Sequence, residues 1–457
     1  MPQAVATAAY QGVAAQAANG QTIHKLFGWY VNSRRQWAPT SEQKDRFSRL
    51  KLLILDEVST CDVSIIGKID SSLRKFLDRS NAVFGGVHVL LVGDWLQPLP
   101  VAGQPAFMSA DELLESRSRQ QSNTSDYLDR LLGINAYKAL TSVVILTENM
   151  RHQHDPVWRT ILVKWRVGNY DQKDIDLVND IAYSKNWTSS AASLESYCPI
   201  IVTSNALRVE FNFSTLRSFC QKSNVPLHRF PATVRRPRHP LTKFQRKSLG
   251  SIRDDKISGM PINLEIALGS TVQCTKNVST TFKLANGSIG TVVAITPSQD
   301  DVVQVRIANG IEEHYHSLPP DVVFVKLKDY ASQSFVSTLP LDVVPVCKRT
   351  ECGVRIRLPD RSFSISICQV SLVLAYSLTT EKCQGLTVEK MILAPLRHPT
   401  RRIPQRSSFY VAVTRVKTLS QLYLMAPLTK EFLEYFTPSR DALAETQRLH
   451  AIEDRTD

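Results

Sequence analysis

Apolar residues in this chain gather into short unbroken runs more than into long alternating ones. LLIL at 52–55 leads straight into Asp56 and Glu57, and VHVLLV at 87–92 is followed by Gly93 and Asp94. Unbroken runs of this length describe strands buried on both faces, as in a parallel sheet. Between them, VSIIGKIDSSLRKFLDRS places its apolar residues at helical spacing. Strand, helix, strand predicts a parallel βαβ unit. Residues 4–15 read as a strand end, a turn at Gly12 and a short helix, and CPIIVT at 198–203 begins another strand. TVQCTKNV, GTVVAITP, VVQVRIA and DVVFVKL are β-rich and separated by turn signals such as Asn286-Gly287 and Asn309-Gly310. This block, about 261–367, predicts a small antiparallel barrel inserted into an α/β domain. α/β character returns at 388–394 and 422–425.

At 457 residues the chain predicts two to four domains, and 43% hydrophobic with 21% charged residues fits a soluble globular protein. No apolar run reaches the roughly 18 residues of a membrane span. The start, MPQAVATAAYQGVAAQAANG, lacks a basic head and a continuous apolar centre, and the first 24 residues contain no Arg. Neither a secretory nor a mitochondrial leader is expected there. Eight Cys are scattered without a CxxC pair, and Cys347 with Cys352 has no second pair, so reduced thiols are expected rather than a zinc site.

A net charge of +13 and a pI near 9.4 favour a polyanionic partner, nucleic acid first, although ribosomal, chromatin and membrane-surface proteins share the signature. Between Val225 and Met260 stand nine Lys or Arg and two Asp. Three prolines in RFPATVRRPRHPLTKFQRK exclude one long helix. The stretch reads as an exposed basic loop, either a solvated linker or a phosphate-contacting surface.

The acids at the ends of the two runs carry the candidate chemistry. Asp56 and Glu57 can simply cap or solvate a strand. In an open α/β sheet, however, ligands sit outside the carboxyl ends of the strands. An acid there can hold Mg²⁺, and its neighbour can orient or deprotonate an attacking water. In LLVGDWLQPLPV, Gly93 permits a tight turn, Asp94 ends the strand, and Gln97 can orient a water or sense a phosphate. Trp95 reads as packing beneath that loop rather than stacking on a base. Two strand-end acids one βαβ unit apart are the pattern of a RecA-like nucleotide-binding core.

LLILDEVST followed by VLLVGDWLQPLPV resembles motifs II and III of superfamily 1 DNA helicases, in the Pif/RecD-like branch that includes the Helitron helicase domain. The usual GDxxQLPPV here reads QPLPV, which leaves Asp94 and Gln97 in register. AAYQGVAAQAANGQTIHKLFG resembles motif Ia, and the resemblance implies single-strand contacts from Gly12, Thr22 and His24. LTENMRH resembles motif IV, with Arg151 reaching the γ-phosphate. LTTEKCQGLTVEKMIL resembles motif V: Lys382, Gln384, Gly385 and Thr387 match, and Glu381 replaces a His. Lys382 and Thr387 are implied to touch nucleic acid. SFYVAVTRVKTLSQLYL resembles motif VI, with Arg415 as arginine finger. Taken singly, Arg415 reads as a surface charge and His24 as a satisfied polar side chain; six motifs in one order carry the resemblance.

The resemblance implies an α/β fold of two RecA-like domains with an SH3-like insertion: 1–145 first domain, 146–260 and 368–457 second domain, 261–367 insertion. It implies ATP and Mg²⁺, with Asp56 on the metal, Glu57 activating water, and Asp94, Gln97, Arg151, Gln384, Gly385 and Arg415 around the nucleotide. The implied partners are single-stranded and forked DNA, with an RNA–DNA hybrid or RNA as a further substrate and no membrane. Implied roles are DNA repair, recombination and telomere maintenance in the nucleus, with the mitochondrion second. The family's P-loop, GxxxxGK[ST], supplies phosphate-cradling amides and a Lys. The one Gly-Lys pair here is Gly67-Lys68, which lacks the pattern. A fragment or a degenerate copy is therefore expected, with feeble ATP hydrolysis and a destabilised 1–50 region. The alternative is a non-catalytic nucleic-acid-binding remnant.

Overall fold

A computed structural model describes residues 4–29, 39–100, 103–117, 124–184, 197–236, 239–279, 282–330, 333–358, 362–396 and 405–453. The closing Val101 of QPLPV, and Pro237 and Arg238 of the basic stretch, lie outside the described residues.

The first lobe is built on β1 (Val5–Ala9), α1 (Gly12–Ala17), β2 (Gln21–Thr22), α2 (Ile23–Phe27), α3 (Ser41–Phe47), β3 (Leu52–Asp56), α4 (Val63–Phe76), β4 (His88–Leu91), α5 (Ala110–Arg117) and α6 (Thr124–Lys138). Its four strands form one parallel sheet in the order β2-β1-β3-β4. The run LLIL is β3, and the helical spacing after it is α4. Leu53, Leu55, Ile66, Ile69 and Leu73 meet in the core with Phe27 and Phe47. Helix α4 lies against α6 so closely that a Cβ on Gly67 would stand 1.7 Å from Asp129 O, and one on Gly133 2.0 Å from Val63 O. Gly67 of the Gly-Lys pair is thus a helix-packing glycine. Asp70 of α4, fully buried, accepts Arg74 Nε at 2.8 Å and the Phe84 N–H at 2.6 Å. That bond holds the tight turn where Phe84 sits at φ +51°. The outer edge of β4 is unpaired among the described residues. Leu90 is 50% exposed there, and Val144 and Leu146 are 81% and 88% exposed in the segment after α6.

The second lobe begins with α7 (Pro156–Arg166), α8 (Gln172–Asn179), β5 (Ile200–Val202) and α9 (Asn205–Ser223). The chain then makes β6 (Leu227–Pro231), β7 (Thr233–Arg235), α10 (Lys243–Gly250), β8 (Asn263–Ile266), β9 (Thr271–Cys274), β10 (Ile289–Thr296), β11 (Val303–Ala308), β12 (Ile311–His316), β13 (Val322–Leu327), β14 (Val343–Arg357), β15 (Ser362–Val370) and β16 (Leu372–Leu374). It returns through β17 (Ser377–Thr379), α11 (Thr380–Cys383), β18 (Met391–Leu393), α12 (Ser408–Val413), β19 (Leu422–Leu424), α13 (Lys430–Glu434) and α14 (Arg440–Glu453). The lobe's own sheet is parallel, in the order β17-β5-β18-β19. Trp158 and Trp165 pack edge to face at 5.8 Å in its core, with Phe409 beside Trp165. No described helix is long and apolar enough to cross a membrane.

The β-rich block makes two sheets, β16-β9-β10-β13-β14-β15-β7 and β11-β12-β6-β8, and so departs from the small antiparallel barrel expected over 261–367: β6, β7 and β16 join from outside those bounds, and β6 pairs parallel with β12. Asn309-Gly310, at φ +51° and +73°, turns the β11–β12 hairpin as primed turns require. The basic stretch read as an exposed loop is ordered structure in large part. Leu227 and Phe230 are fully buried, so β6 and β7 are drawn into the two sheets, and α10 follows. Arg229 is bound by Glu265 and Glu313 and is withdrawn from any phosphate. Exposed bases remain on α10, where Lys243, Arg246 and Lys247 surround Phe244, itself 63% exposed.

Candidate functional site

The carboxyl ends of β3 and β4 open onto a crevice between the lobes. Val92 N–H bonds Leu55 O at 2.8 Å and Val58 N–H bonds Val92 O at 3.0 Å, so the two strand ends stay in step. Half-buried Asp56 ends β3, and its Oδ1 accepts the Glu57 N–H at 2.9 Å. Glu57 follows at φ +52°, ψ +42°. A non-glycine side chain in the left-handed region is strained by roughly 1–3 kcal/mol, and such strain gathers at functional sites. The turn aims Glu57 across the crevice, where its Oε2 accepts Gln384 Nε2 at 3.2 Å.

Burial, then the neighbouring Asp56, raises the Glu57 pKa, while Gln384 and Arg415 pull it back. A carboxyl group of raised folded pKa holds protons that the unfolded chain has lost. Stability therefore falls as pH rises from the ordinary carboxylate range through the folded pKa. Glu57→Gln is expected to be more stable than the parent at neutral pH by about 0.5–2 kcal/mol, the usual gain from relieving a functional site. That gain should vanish in thermal melts run below the ordinary carboxylate pKa; a gain independent of pH excludes this origin.

The second lobe brings cations to the same place. Arg415 is buried after α12, and burial, with Arg151 next, pushes its pKa down to about 10. Its guanidinium donates to Val411 O at 2.7 Å, Thr414 Oγ1 at 2.7 Å and Leu386 O at 3.4 Å. Arg151 donates to Thr414 O at 3.3 Å. Beside it, buried His152 bridges Asn149 and Val416 O; burial and Arg151 push its pKa down to about 4, so it adds no third charge at neutral pH. Every hydrogen-bond partner of both guanidiniums among the described residues is a neutral oxygen. Two adjacent desolvated cations that hydrogen-bond no carboxylate, and feel Glu57 only through space, fit a polyanion such as a nucleotide's terminal phosphates. Asp56 and Glu57 opposite them fit a divalent cation.

The structure brings Asp56, Glu57, Gln384, Arg151 and Arg415 together. Asp94 is engaged otherwise: it takes Arg166 of α7 at 2.9 and 3.3 Å, an ion pair that joins the lobes. Arg166 had no sequence signal beyond a helix-surface charge. Gln97 closes its turn through a backbone bond to Asp94 O at 3.0 Å. Trp95 is buried beneath the loop and donates to Tyr137 OH at 3.0 Å. Gly385 lies exposed in the turn after α11 at φ +77°, and Thr387 is exposed just beyond it.

Two residues with implied nucleic-acid contacts meet at the base of the insertion. A Cβ on Gly12 would lie 2.4 Å from Asn277 Oδ1, which also accepts the Asn286 N–H; Lys382 Nζ donates to Asn286 Oδ1 at 2.9 Å. Thr22 stands at the N-cap position of α2 without a side-chain capping bond, and half-buried His24 on that helix lies 5.9 Å from both the Tyr10 and Trp29 rings. Burial lowers the His24 pKa, so the row Tyr10–His24–Trp29 is an uncharged aromatic surface of the kind on which bases stack. Tyr10 and Trp29 escaped the sequence reading because only the fold lines them up.

Residues 2–127 match the family model for PIF1-like helicase. Uncharacterized protein 030L of Invertebrate iridescent virus 6 is 23% identical, over 97% of this chain and 87% of its own length. ATP-dependent DNA helicase PIF1 of Emericella nidulans is 20% identical over 93% of the chain, and ATP-dependent DNA helicase RRM3 of Saccharomyces cerevisiae is 22% identical over 93%. The chain spans 54% and 58% of those two helicases' lengths. Among solved structures, Pif1 helicase from Bacteroides in complex with ADP-AlF3 and ssDNA superposes with TM-score 0.67 at 20% identity, covering 99% of this chain and 89% of that one. Pif1 helicase from Candida albicans gives 0.63 at 18%, covering 97% and 89%. The fold is thus the Pif1 fold of two RecA-like domains.

Proposed function

We propose, from the premise that this chain is a Pif1-like relative of the superfamily 1 helicases, that it belongs to an ATP-dependent DNA helicase that moves on single strands and opens forks. The observation that carries the reading is the bond from Gln384 to Glu57 across the crevice, with Arg151 and Arg415, which hydrogen-bond no carboxylate, beside it. Asp56 would hold Mg²⁺, which neutralises phosphate charge. Glu57 orients the attacking water, and its raised pKa suits a proton acceptor. Arg151 and Arg415 bind the γ-phosphate from the second lobe, so the site is complete only when the lobes close. Gln384 and the Asp94–Arg166 pair register that closure. The single strand runs over Tyr10, His24 and Trp29 toward Gly12, Lys382 and Thr387.

The test is ATP turnover by the 457-residue chain with Mg²⁺ and single-stranded DNA. No GxxxxGK[ST] stands among these residues. The expected rate is therefore well below the roughly 1–10³ s⁻¹ typical of enzymes and unchanged by Glu57→Gln. Ordinary turnover abolished by Glu57→Gln would overturn that expectation. The missing motif also favours a second reading, a nucleic-acid-binding remnant; strand binding that ignores nucleotide altogether would select it. Nuclear action in repair, recombination and telomere maintenance, with the mitochondrion second, rests on the DNA partner and reduced thiols. Imaging of the tagged chain tests the location. RNA or an RNA–DNA hybrid as substrate is tested by competition at fixed salt.

A further inference from the structure

We propose that His228, His314 and His316 form a divalent transition-metal site and that Zn²⁺ is the ion it takes. Side chains two apart on a strand share a face, and a directly paired residue on the next strand shares it too. His314 and His316 stand two apart on β12, and His314 pairs with His228 of the parallel strand β6. One ligand nitrogen from each ring lies within 4.8 Å of the others. His316 is buried and the other two are half-buried, so the cluster is neither a surface accident nor a sealed core.

The surrounding acids fix the tautomers as they do around metal-bound imidazoles, which donate their second N–H to a carboxylate. His316 Nδ1 donates to Asp301 Oδ2 at 2.5 Å, which leaves its Nε2 with a lone pair facing His228 Nδ1 at 3.0 Å. His314 Nε2 lies on Glu312 Oε1 at 2.5 Å, which leaves Nδ1 as its ligand atom.

Three imidazoles suit zinc, and ligands at about 2.0–2.1 Å in a tetrahedron stand about 3.3 Å apart. His228 and His316 must part by about 0.3 Å, and His314 must close by at most about 1.5 Å. Metal entry shifts the His228 proton from Nδ1 to Nε2 without net proton release. Water fills the fourth position, because Glu312 is engaged on His314 Nε2. The ion would clip β6, on the basic segment, to β12 of the β block. Cys347 and Cys352, both exposed, are the competing thiols.

The experiment is Zn²⁺ titration of the chelator-stripped full chain against a chromophoric competitor, with Co²⁺ spectra in parallel. One equivalent per chain is expected, with visible Co²⁺ bands of a nitrogen-rich tetrahedral site. His314→Ala, the gentlest change because this ring is half-exposed, should abolish the bands and weaken binding at least about tenfold. Asp301→Asn should weaken binding about 10- to 100-fold. Cys347→Ser with Cys352→Ser should change nothing. Binding that survives His314→Ala and Asp301→Asn, follows the thiols, or is absent from the parent chain overturns the site. Metal-free melting of each variant against the parent separates lost ligands from lost folding.

Discussion

Asp70→Ala is expected to cost the first lobe about 3–5 kcal/mol, the usual penalty when one partner of a buried ion pair is removed. The carboxylate is fully buried and does two things at once. It neutralises Arg74, and it satisfies the backbone N–H of Phe84, which would otherwise be orphaned at a left-handed turn. Alanine loses both. Asn keeps an acceptor for Phe84 and loses only the charge, so Asp70→Asn should fall between alanine and the parent. The measurement is urea unfolding followed by tryptophan fluorescence. A midpoint for Asp70→Ala equal to the parent's would show that the turn at Phe84 stands without the acid. Helix α4 shares its core with β3, so local melting should also blunt single-strand binding.

The second large effect is expected on the DNA side. Tyr10→Ala and His24→Ala should each weaken single-strand binding by about 1–3 kcal/mol, the range for a lost stacking platform. Neither should flatten the salt dependence, because neither ring carries charge at neutral pH. Lys382→Ala should do the opposite: a modest loss of affinity with the slope of log K against log salt reduced by about one contact. Fluorescence anisotropy of a labelled strand at several salt concentrations separates the two classes. Loss of slope in Tyr10→Ala, or unchanged affinity, would remove the aromatic row from the strand's path.

Much of this architecture could be read from the order of residue types. Unbroken apolar runs located β3 and β4, and the acids at their ends followed from where such sheets bind ligands; the burial on both faces that the runs predict is not found, since β3 alternates buried with half-buried residues and β4, on the open edge, buries none. Helix α4 was visible because one face alone is apolar. The rest depended on relations that no local pattern records. The segment holding β6 and β7 carries prolines and five bases from Arg229 to Lys243, which argue against strands. Buried Leu227 and Phe230, with edges offered by β8, β12 and β15, outweigh them. The three histidines are scattered until β6 lies parallel to β12. Arg166 looks like any helix-surface base until the lobes meet. The left-handed turn at Glu57 is invisible because glutamate is a poor residue for it, and a poor local choice at a working site is what selection for geometry leaves behind.

The last helix has a mechanical meaning. After β19 the chain leaves the second lobe, and α14 lies back on the first, where Glu445 takes Tyr137 OH and Glu453 takes the Ile145 N–H. Tyr137 in turn holds Trp95 under the loop that follows β4. The lobes are therefore strapped twice, once by the covalent link after α6 and once by this returning arm. Pulling them straight apart strains both straps together. Opening the crevice with both straps intact must instead break the bonds that cross it, from Gln384 to Glu57, from Arg166 to Asp94 and from Gln405 to Leu99 O.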